Sequence, residues 1–177
     1  MSSILKDKSN IVYYTSDIFK GSQDRLLTSS VIIPHVCNNI NLFGAGFAAA
    51  IDNKFPSVKE NFHLLGNKAK LGYVQYINIS QNKTSNNSLI IANMIAQNKT
   101  ISHNNPRPLN YEALVRCMVD VRNYIVKLKN LDTNVEIHCP KFGSGLAGGN
   151  WNFIEQLIVD IWNQLPVFVY SYNRTIK

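Results

Sequence analysis

The sequence predicts a layered α/β domain with a largely parallel sheet. Two observations carry that expectation. Segments of strand character and segments of helical periodicity alternate along the whole chain. Two of the strands also run into glycine-rich loops that open helices: VIIPHVCNNINLFGAGFAAAI from Val31 to Ile51, and VEIHCPKFGSGLAGGNWNFI from Val135 to Ile154. The 177 residues contain no internal repeat, linker or composition break. They read as one domain, 1–177, with its core at about 11–172.

Ile11 to Thr15 (IVYYT) reads as a short strand ending at Ser16-Asp17. Residues 21–28 are polar and read as loop, with one helical turn at most. Ser30 to Cys37 (SVIIPHVC) is β-branched and reads as a buried strand, in which Pro34 predicts a bulge or an edge. A polar stretch, 38–42, leads to Gly44-Ala45-Gly46, and Phe47 to Lys54 reads as an Ala-rich helix. Pro56 stops it and opens a second helix through Leu65, closed by Gly66. Leu71 to Ile79 alternates like a half-exposed strand, 81–87 is a polar hairpin connection, and Leu89 to Ile95 is the next strand. Residues 97–108 are loop. Leu114, Met118, Val121, Ile125 and Leu128 recur at helical spacing, so Tyr111 to Lys129 is an amphipathic helix. Val135 to Cys139 is a strand. Trp151, Ile154, Ile158, Ile161 and Leu165 mark the last helix, ended by Pro166, and Val167 to Tyr172 is the final strand.

Composition narrows the function classes. At 45% apolar residues the chain is not disordered, and no apolar run approaches the ~20 residues that span a bilayer. The start has no signal-peptide pattern, so a cytoplasmic protein is expected, in the host cytoplasm if phage-encoded, with no membrane partner. Cys37, Cys117 and Cys139 are scattered, with no CxxC pair, and read as buried thiols, neither disulfides nor a zinc ribbon. The net charge of +7 suits a polyanionic ligand or nucleic acid, and equally a merely soluble surface. Its lysines are spread, with no Lys/Arg stripe or aromatic-rich RNA motif, so no specific nucleic acid is expected.

The two glycine loops carry the functional signal. Glycines let backbone N–H groups converge, and a following helix start adds unpaired donors and partial positive charge. Two such loops at one sheet end would cradle a diphosphate or a phosphorylated sugar; the alternative is tight turns without a ligand. Gly44 to Ala49 fits G-x-G-x-x-A. However, a polar hexapeptide separates it from its strand, and Ala69-Lys70-Leu71 stands where a dinucleotide site needs an acid. Gly143 to Gly148 has P-loop spacing, but Gly149-Asn150 replaces Lys-Ser/Thr. No pair of acids suggests a glycosidase. Asp17, at a strand end, could accept from an adenine amino group or cap a helix. His35, Cys37 and Asn38 close the second strand and His138 and Cys139 a later one, without metal-ligand spacing. His35 is the candidate general acid/base, since a histidine titrates near neutrality; a core histidine is the alternative. Ser144 reads as a phosphate contact and not as a nucleophile.

These residues resemble the macrodomain family, which binds ADP-ribose, from about Ile11 to Tyr172. Tyr14-Thr15-Ser16-Asp17-Ile18-Phe19 is similar to the family's G-D-I-F start. His35-Val36-Cys37-Asn38 followed by Phe43-Gly44-Ala45-Gly46-Phe47-Ala48 resembles its first ligand loop, and Lys54-Phe55-Pro56 continues it. Ile91-Ala92-Asn93-Met94 and Arg107-Pro108-Leu109-Asn110-Tyr111 are also similar. Pro140 to Trp151 (PKFGSGLAGGNW) resembles the P-(R/K)-I-G-C-G-L-A-G-G-D-W loop of bacterial and phage members. The subgroup is similar to the ADP-ribose-1″-phosphate phosphatase (Appr-1-p processing) branch.

The resemblance implies a three-layer α/β/α fold with a mixed, largely parallel central sheet. It implies Asp17 and Ile18 at the adenine, Asn38 at the distal ribose, and Tyr172 beside the adenine. Gly44, Ala45, Gly46 and Phe47, with Gly143, Ser144, Gly145, Leu146, Ala147 and Gly148, would enclose the diphosphate and distal sugar. Three positions depart from the pattern. Ala147 stands where the related glycohydrolases carry a catalytic aspartate, Asn150 replaces the Asp of G-G-D-W, and Asn41 replaces a glycine. The expected activity is hydrolysis of ADP-ribose-1″-phosphate to ADP-ribose and phosphate by a monomer without cofactor or metal, with His35 and Asn38 as the catalytic pair. The alternatives are a non-catalytic reader or sink for ADP-ribose or a nucleotide signal, and a weak de-ADP-ribosylating hydrolase.

Overall fold

The structure is a computed structural model that describes residues 10–130 and 133–171. Its strands are β1 (Ile11–Tyr14), β2 (Ser30–Asn38), β3 (Val74–Gln81), β4 (Ser88–Gln97), β5 (Val135–Pro140) and β6 (Val167–Tyr170). Its α-helices are α1 (Ile18–Arg25), α2 (Phe47–Lys54), α3 (Pro56–His63), α4 (Tyr111–Lys129) and α5 (Trp151–Ile161). The strands form one sheet in the order β1-β6-β5-β2-β4-β3, parallel except where β3 runs against β4.

Alternation along β2 builds the layers. Ile32 points into a core shared with Leu114, Met118 and Ile125 of α4 and Ile154 and Ile158 of α5. Val31 and Ile33 point the other way, against Ile18 and Phe19 of α1, Ile51 of α2 and Val58 of α3. Helices therefore cover both faces, as a parallel sheet with apolar residues on both sides requires. Among the described residues no helix is long and apolar enough to cross a membrane.

Topology places a cleft at the middle of the sheet. The chain leaves β2 toward the β3 edge and leaves β5 toward the β1 edge, yet β2 and β5 are neighbours. Connections that part in opposite directions leave a crevice outside the carboxyl ends of the two strands. The pairing itself stops early, running only from Ser30–Val135 to Ile32–Ile137. This corrects the reading of Pro34. It sits in a central strand, and the register irregularity lies between Cys37 and Asn38. Proline is tolerated because the ladder on the β5 side has already ended.

Several boundaries differ from expectation, three of them with a clear physical cause. Residues 18–25 form α1, read in part as loop. Asp17 Oδ1 caps that helix, accepting from Phe19 N–H at 2.7 Å and Lys20 N–H at 3.2 Å, and Ile18, Phe19 and Ser22 supply its buried side. Gly21 leaves room there for Tyr170, whose hydroxyl would lie 2.6 Å from a Cβ at that position. β3 begins at Val74, three residues late, after a turn through Gly72 at φ +89°. α5 ends at Ile161, where Trp162 turns into the core and its Nε1–H donates to Met118 O at 2.9 Å. Tyr172, expected beside the adenine, lies outside the described residues.

Candidate functional site

The cleft between β2 and β5 opens into a cavity of about 450 Å³, within the range of small-ligand sites. Its walls are the end of β2 (His35 to Asn38), the loop from Leu42 into α2, Gln97 at the end of β4 with Thr100 and Ile101 beyond it, and the loop from Pro140 to Ala147.

The first loop is shaped by asparagines. Asn38 Oδ1 accepts from the N–H groups of Ile40 and Leu42, each at 3.1 Å, and its Nδ2 donates to Leu42 O at 2.6 Å. Asn38 thus braces its own loop and keeps one N–H for a ligand. Asn41 has φ +59°, a left-handed conformation that asparagine visits more readily than most residues. Its Oδ1 lies 3.1 Å from His63 Nδ1, tying the loop to the end of α3. Phe43 rests on buried Phe62, ring centroids 5.2 Å apart. Gly46, at φ 58° and ψ −133°, is the N-cap of α2 and offers no side-chain cap. The N–H groups of Phe47 and Ala48 therefore have no acceptor among the described residues.

The second loop is folded on itself by Gly149 N–H to Gly143 O (2.8 Å) and Gly148 N–H to Gly145 O (2.9 Å). Leu109 N–H donates to Ala147 O at 3.0 Å, fastening it to the segment before α4. The N–H groups of Ser144, Gly145, Leu146 and Ala147 find no acceptor among the described residues. Leu146 reaches across to the first loop, 3.4 Å from where a Cβ on Gly46 would stand.

Several sequence expectations change here. Ser144 and Gly148 belong to the loop but do not line the cavity. The Ser144 hydroxyl donates to Lys141 O at 2.8 Å. A Cβ on Gly148, at φ +71°, would lie 2.9 Å from Pro106 O and 3.1 Å from Arg107 Cα, so this glycine seats the loop. Asn150 caps α5 through Asn152 N–H at 2.9 Å and Phe153 N–H at 3.4 Å. Asp17 and Ile18 lie outside the cavity, with the Asp17 carboxylate exposed.

His35 is corrected most. Its ring is buried and its Nε2 lies 2.5 Å from Asn93 Oδ1. Asn93 Nδ2 donates to Gln75 Oε1 at 3.0 Å, and Gln75 Nε2 to Asn61 O at 3.0 Å. This row of amides makes Asn93 Oδ1 an acceptor, so His35 Nε2 carries the hydrogen. Burial pushes the His35 pKa down to about 4, against a smaller upward pull from Asn93. The imidazole is neutral at pH 7 and does not titrate near it. Among the described residues no Asp or Glu lines the cavity, and burial pushes the Cys37 thiol well up. Asn93 and Gln75 escaped sequence reading because strand register, not spacing, brings them to His35. Gln97, Thr100 and Ile101 stood in a stretch read only as loop.

The neutral His35 predicts acid sensitivity. Between its ordinary 6.5 and about 4, the unfolded chain binds a proton that the folded protein refuses, so stability falls as pH drops through that window. His138, also pushed down by burial, adds in the same direction. From pH 7 to pH 5 the His35 share is about 2 kcal/mol. Urea unfolding at both pH values should show a smaller loss for His35→Gln than for the parent; equal losses would contradict the buried neutral assignment.

No family model matches the sequence. Among curated proteins, an uncharacterized 17.5 kDa protein of the tk-vs intergenic region of Enterobacteria phage T4 is 24% identical over 158 residues, 87% of this chain and 94% of that one. Among solved structures, a protein of unknown function from Bacteroides thetaiotaomicron is 30% identical with a TM-score of 0.73, over 90% of this chain and 96% of that one. A macrodomain protein from Streptomyces coelicolor is 27% identical with a TM-score of 0.70, over 92% and 99%. DarTG of Thermosipho africanus in complex with ADP-ribose is 17% identical with a TM-score of 0.67, over 92% of this chain and 42% of that one.

Proposed function

We propose that this chain, whose fold is that of a macrodomain, binds ADP-ribose across the β2/β5 cleft. The observation that carries the reading is the set of unpaired N–H groups converging from two sides: Phe47 and Ala48 at the uncapped start of α2, and Ser144 to Ala147 opposite. A diphosphate supplies the negative oxygens such donors need. The ADP-ribose complex of the Thermosipho protein, which shares the fold, supports the same ligand. In this reading the diphosphate lies between the loops and the distal ribose faces Gln97, Thr100 and the free Asn38 N–H. The adenine lies over the end of β1. There Asp17 has one oxygen beyond its cap bonds and Ile18 N–H has no acceptor among the described residues.

The cavity favours recognition over chemistry, because its walls supply no carboxylate and its histidine is neutral. Hydrolysis of ADP-ribose-1″-phosphate is the second reading. The same N–H donors would neutralise charge developing on the anomeric phosphate. Water would be oriented by the loops, with the substrate's own phosphate as the base, since His35 is not poised to move a proton. Release of ADP-ribose from protein acids is disfavoured, Ala147 offering no carboxylate.

Isothermal titration with ADP-ribose, paired with a phosphate-release assay on its 1″-phosphate, separates these readings. Binding without phosphate release leaves the recognition module; release unaffected by His35→Gln leaves the substrate-assisted hydrolase. Asp17→Ala should weaken ADP-ribose by about 1.5–3 kcal/mol and leave ribose 5-phosphate nearly unchanged. Equal losses for the two ligands would remove the adenine from Asp17.

A further inference from the structure

Beside the second loop, at the rim of the cavity, four aromatic side chains and two cations from five separate segments meet on one face. Trp151 Nε1–H donates to the Tyr13 hydroxyl at 3.2 Å, and that hydroxyl is also hydrogen-bonded to Glu155. Lys141 Nζ stands 5.9 Å from the centroid of each ring, Tyr13 and Trp151. Asn150 N–H, next to Trp151, donates to the Tyr111 hydroxyl at 2.8 Å. Phe153 packs edge-on to Tyr111 at 4.9 Å, and the Arg107 guanidinium lies 4.9 Å above the Tyr111 ring. Tyr13 and Phe153 are each 47% exposed. Lys141 also lines the cavity, and Arg107 abuts the loop at Gly148, so the face runs to the cavity rim.

Two half-exposed rings, Tyr13 and Phe153, beside the partly buried Trp151 and Tyr111 and flanked by two cations, on a protein of net charge +7, fit a polyanion that carries flat rings. An acidic peptide would use the cations and leave the rings idle. A duplex buries its base faces and would use only the charges. We propose that this face docks a single-stranded nucleic acid, with bases stacking on Trp151 and Phe153 and phosphates near Lys141 and Arg107. No Lys/Arg stripe exists in the sequence because the fold assembles the face from β1, the loop before α4, α4, the end of β5 and α5. The proposal stands independently of what the cavity binds.

The test uses the full chain and a fluorescein-labelled single strand of about 20 nucleotides, with its duplex as comparison. Saturable binding of the strand is expected, weaker for the duplex and weakened by salt. Intrinsic fluorescence should be quenched on binding, since Trp151 lies on this face and the other tryptophan, Trp162, is buried. Phe153→Ser should lower strand affinity by roughly five-fold or more, as loss of one base-stacking contact would. Arg107→Glu should do so by a similar factor. Phe153→Ser should leave ADP-ribose titrations unchanged. No strand binding, equal binding of the duplex, absent quenching, or full affinity in both variants would overturn the proposal. Strand binding without ADP-ribose binding would leave it standing and remove the cavity reading.

Discussion

Gly145→Val should abolish ADP-ribose binding while leaving the fold unchanged. Gly145 lines the cavity, and a Cβ built on it meets nothing within 4 Å, so the new side chain has no protein neighbour to displace. It does not require a left-handed backbone, unlike Gly143 and Gly148. The valine methyls would instead occupy the approach to the unpaired N–H groups of Ser144 to Ala147. Losing about two charge-assisted hydrogen bonds at about 1.5–3 kcal/mol each lowers affinity roughly 100-fold or more. Circular dichroism and the urea midpoint should match the parent. Retained affinity would place the diphosphate elsewhere. Gly148→Val makes a poorer probe, since its Cβ would push on Pro106 and Arg107 and unseat the loop itself.

Phe62→Ala should give the largest loss of stability near the site. Phe62 is fully buried in a small cluster with Cys37, Ala69 and Ile95, beneath the first loop. Truncation leaves a cavity under Phe43, at a cost of about 3–5 kcal/mol. Phe43 leads directly into Gly44-Ala45-Gly46, so ADP-ribose affinity should fall with stability. Phe62→Leu, which keeps most of the volume, should recover most of both. If Phe62→Ala lost stability but bound ADP-ribose normally, the first loop would not depend on that floor.

Much of this was legible in the residues. Tyr111 to Lys129 is found as α4 at its expected bounds because one long apolar stripe at helical period leaves little room for another reading. The start of α2 and the two glycine loops are found where spacing put them. α1 escaped because IFKGSQDR is short, polar and interrupted by Gly21; what makes it a helix is the Asp17 cap and the docking of Arg25 on Glu136. That docking is bidentate, Nε to Oε2 at 2.9 Å and Nη2 to Oε1 at 2.6 Å, and it joins residues far apart in sequence. Burial raises the Glu136 pKa, but the bonds from Arg25 and His138 outweigh it and the net shift is downward. The fate of His35 was illegible for a related reason. Strand register pairs it with Asn93 and pairs Asn93 with Gln75, so an expected proton carrier becomes a buried, neutral wall residue.

In the proposed reading, backbone N–H groups of the two glycine loops hold the diphosphate. Amide chemical shifts of the nitrogen-15-labelled chain, followed as ADP-ribose is added, test it directly. The largest changes are expected at Ser144 to Ala147 and at Phe47 and Ala48, with smaller ones at Ile18 near the adenine. Saturating changes confined to other amides, with these loops unmoved, would contradict the account.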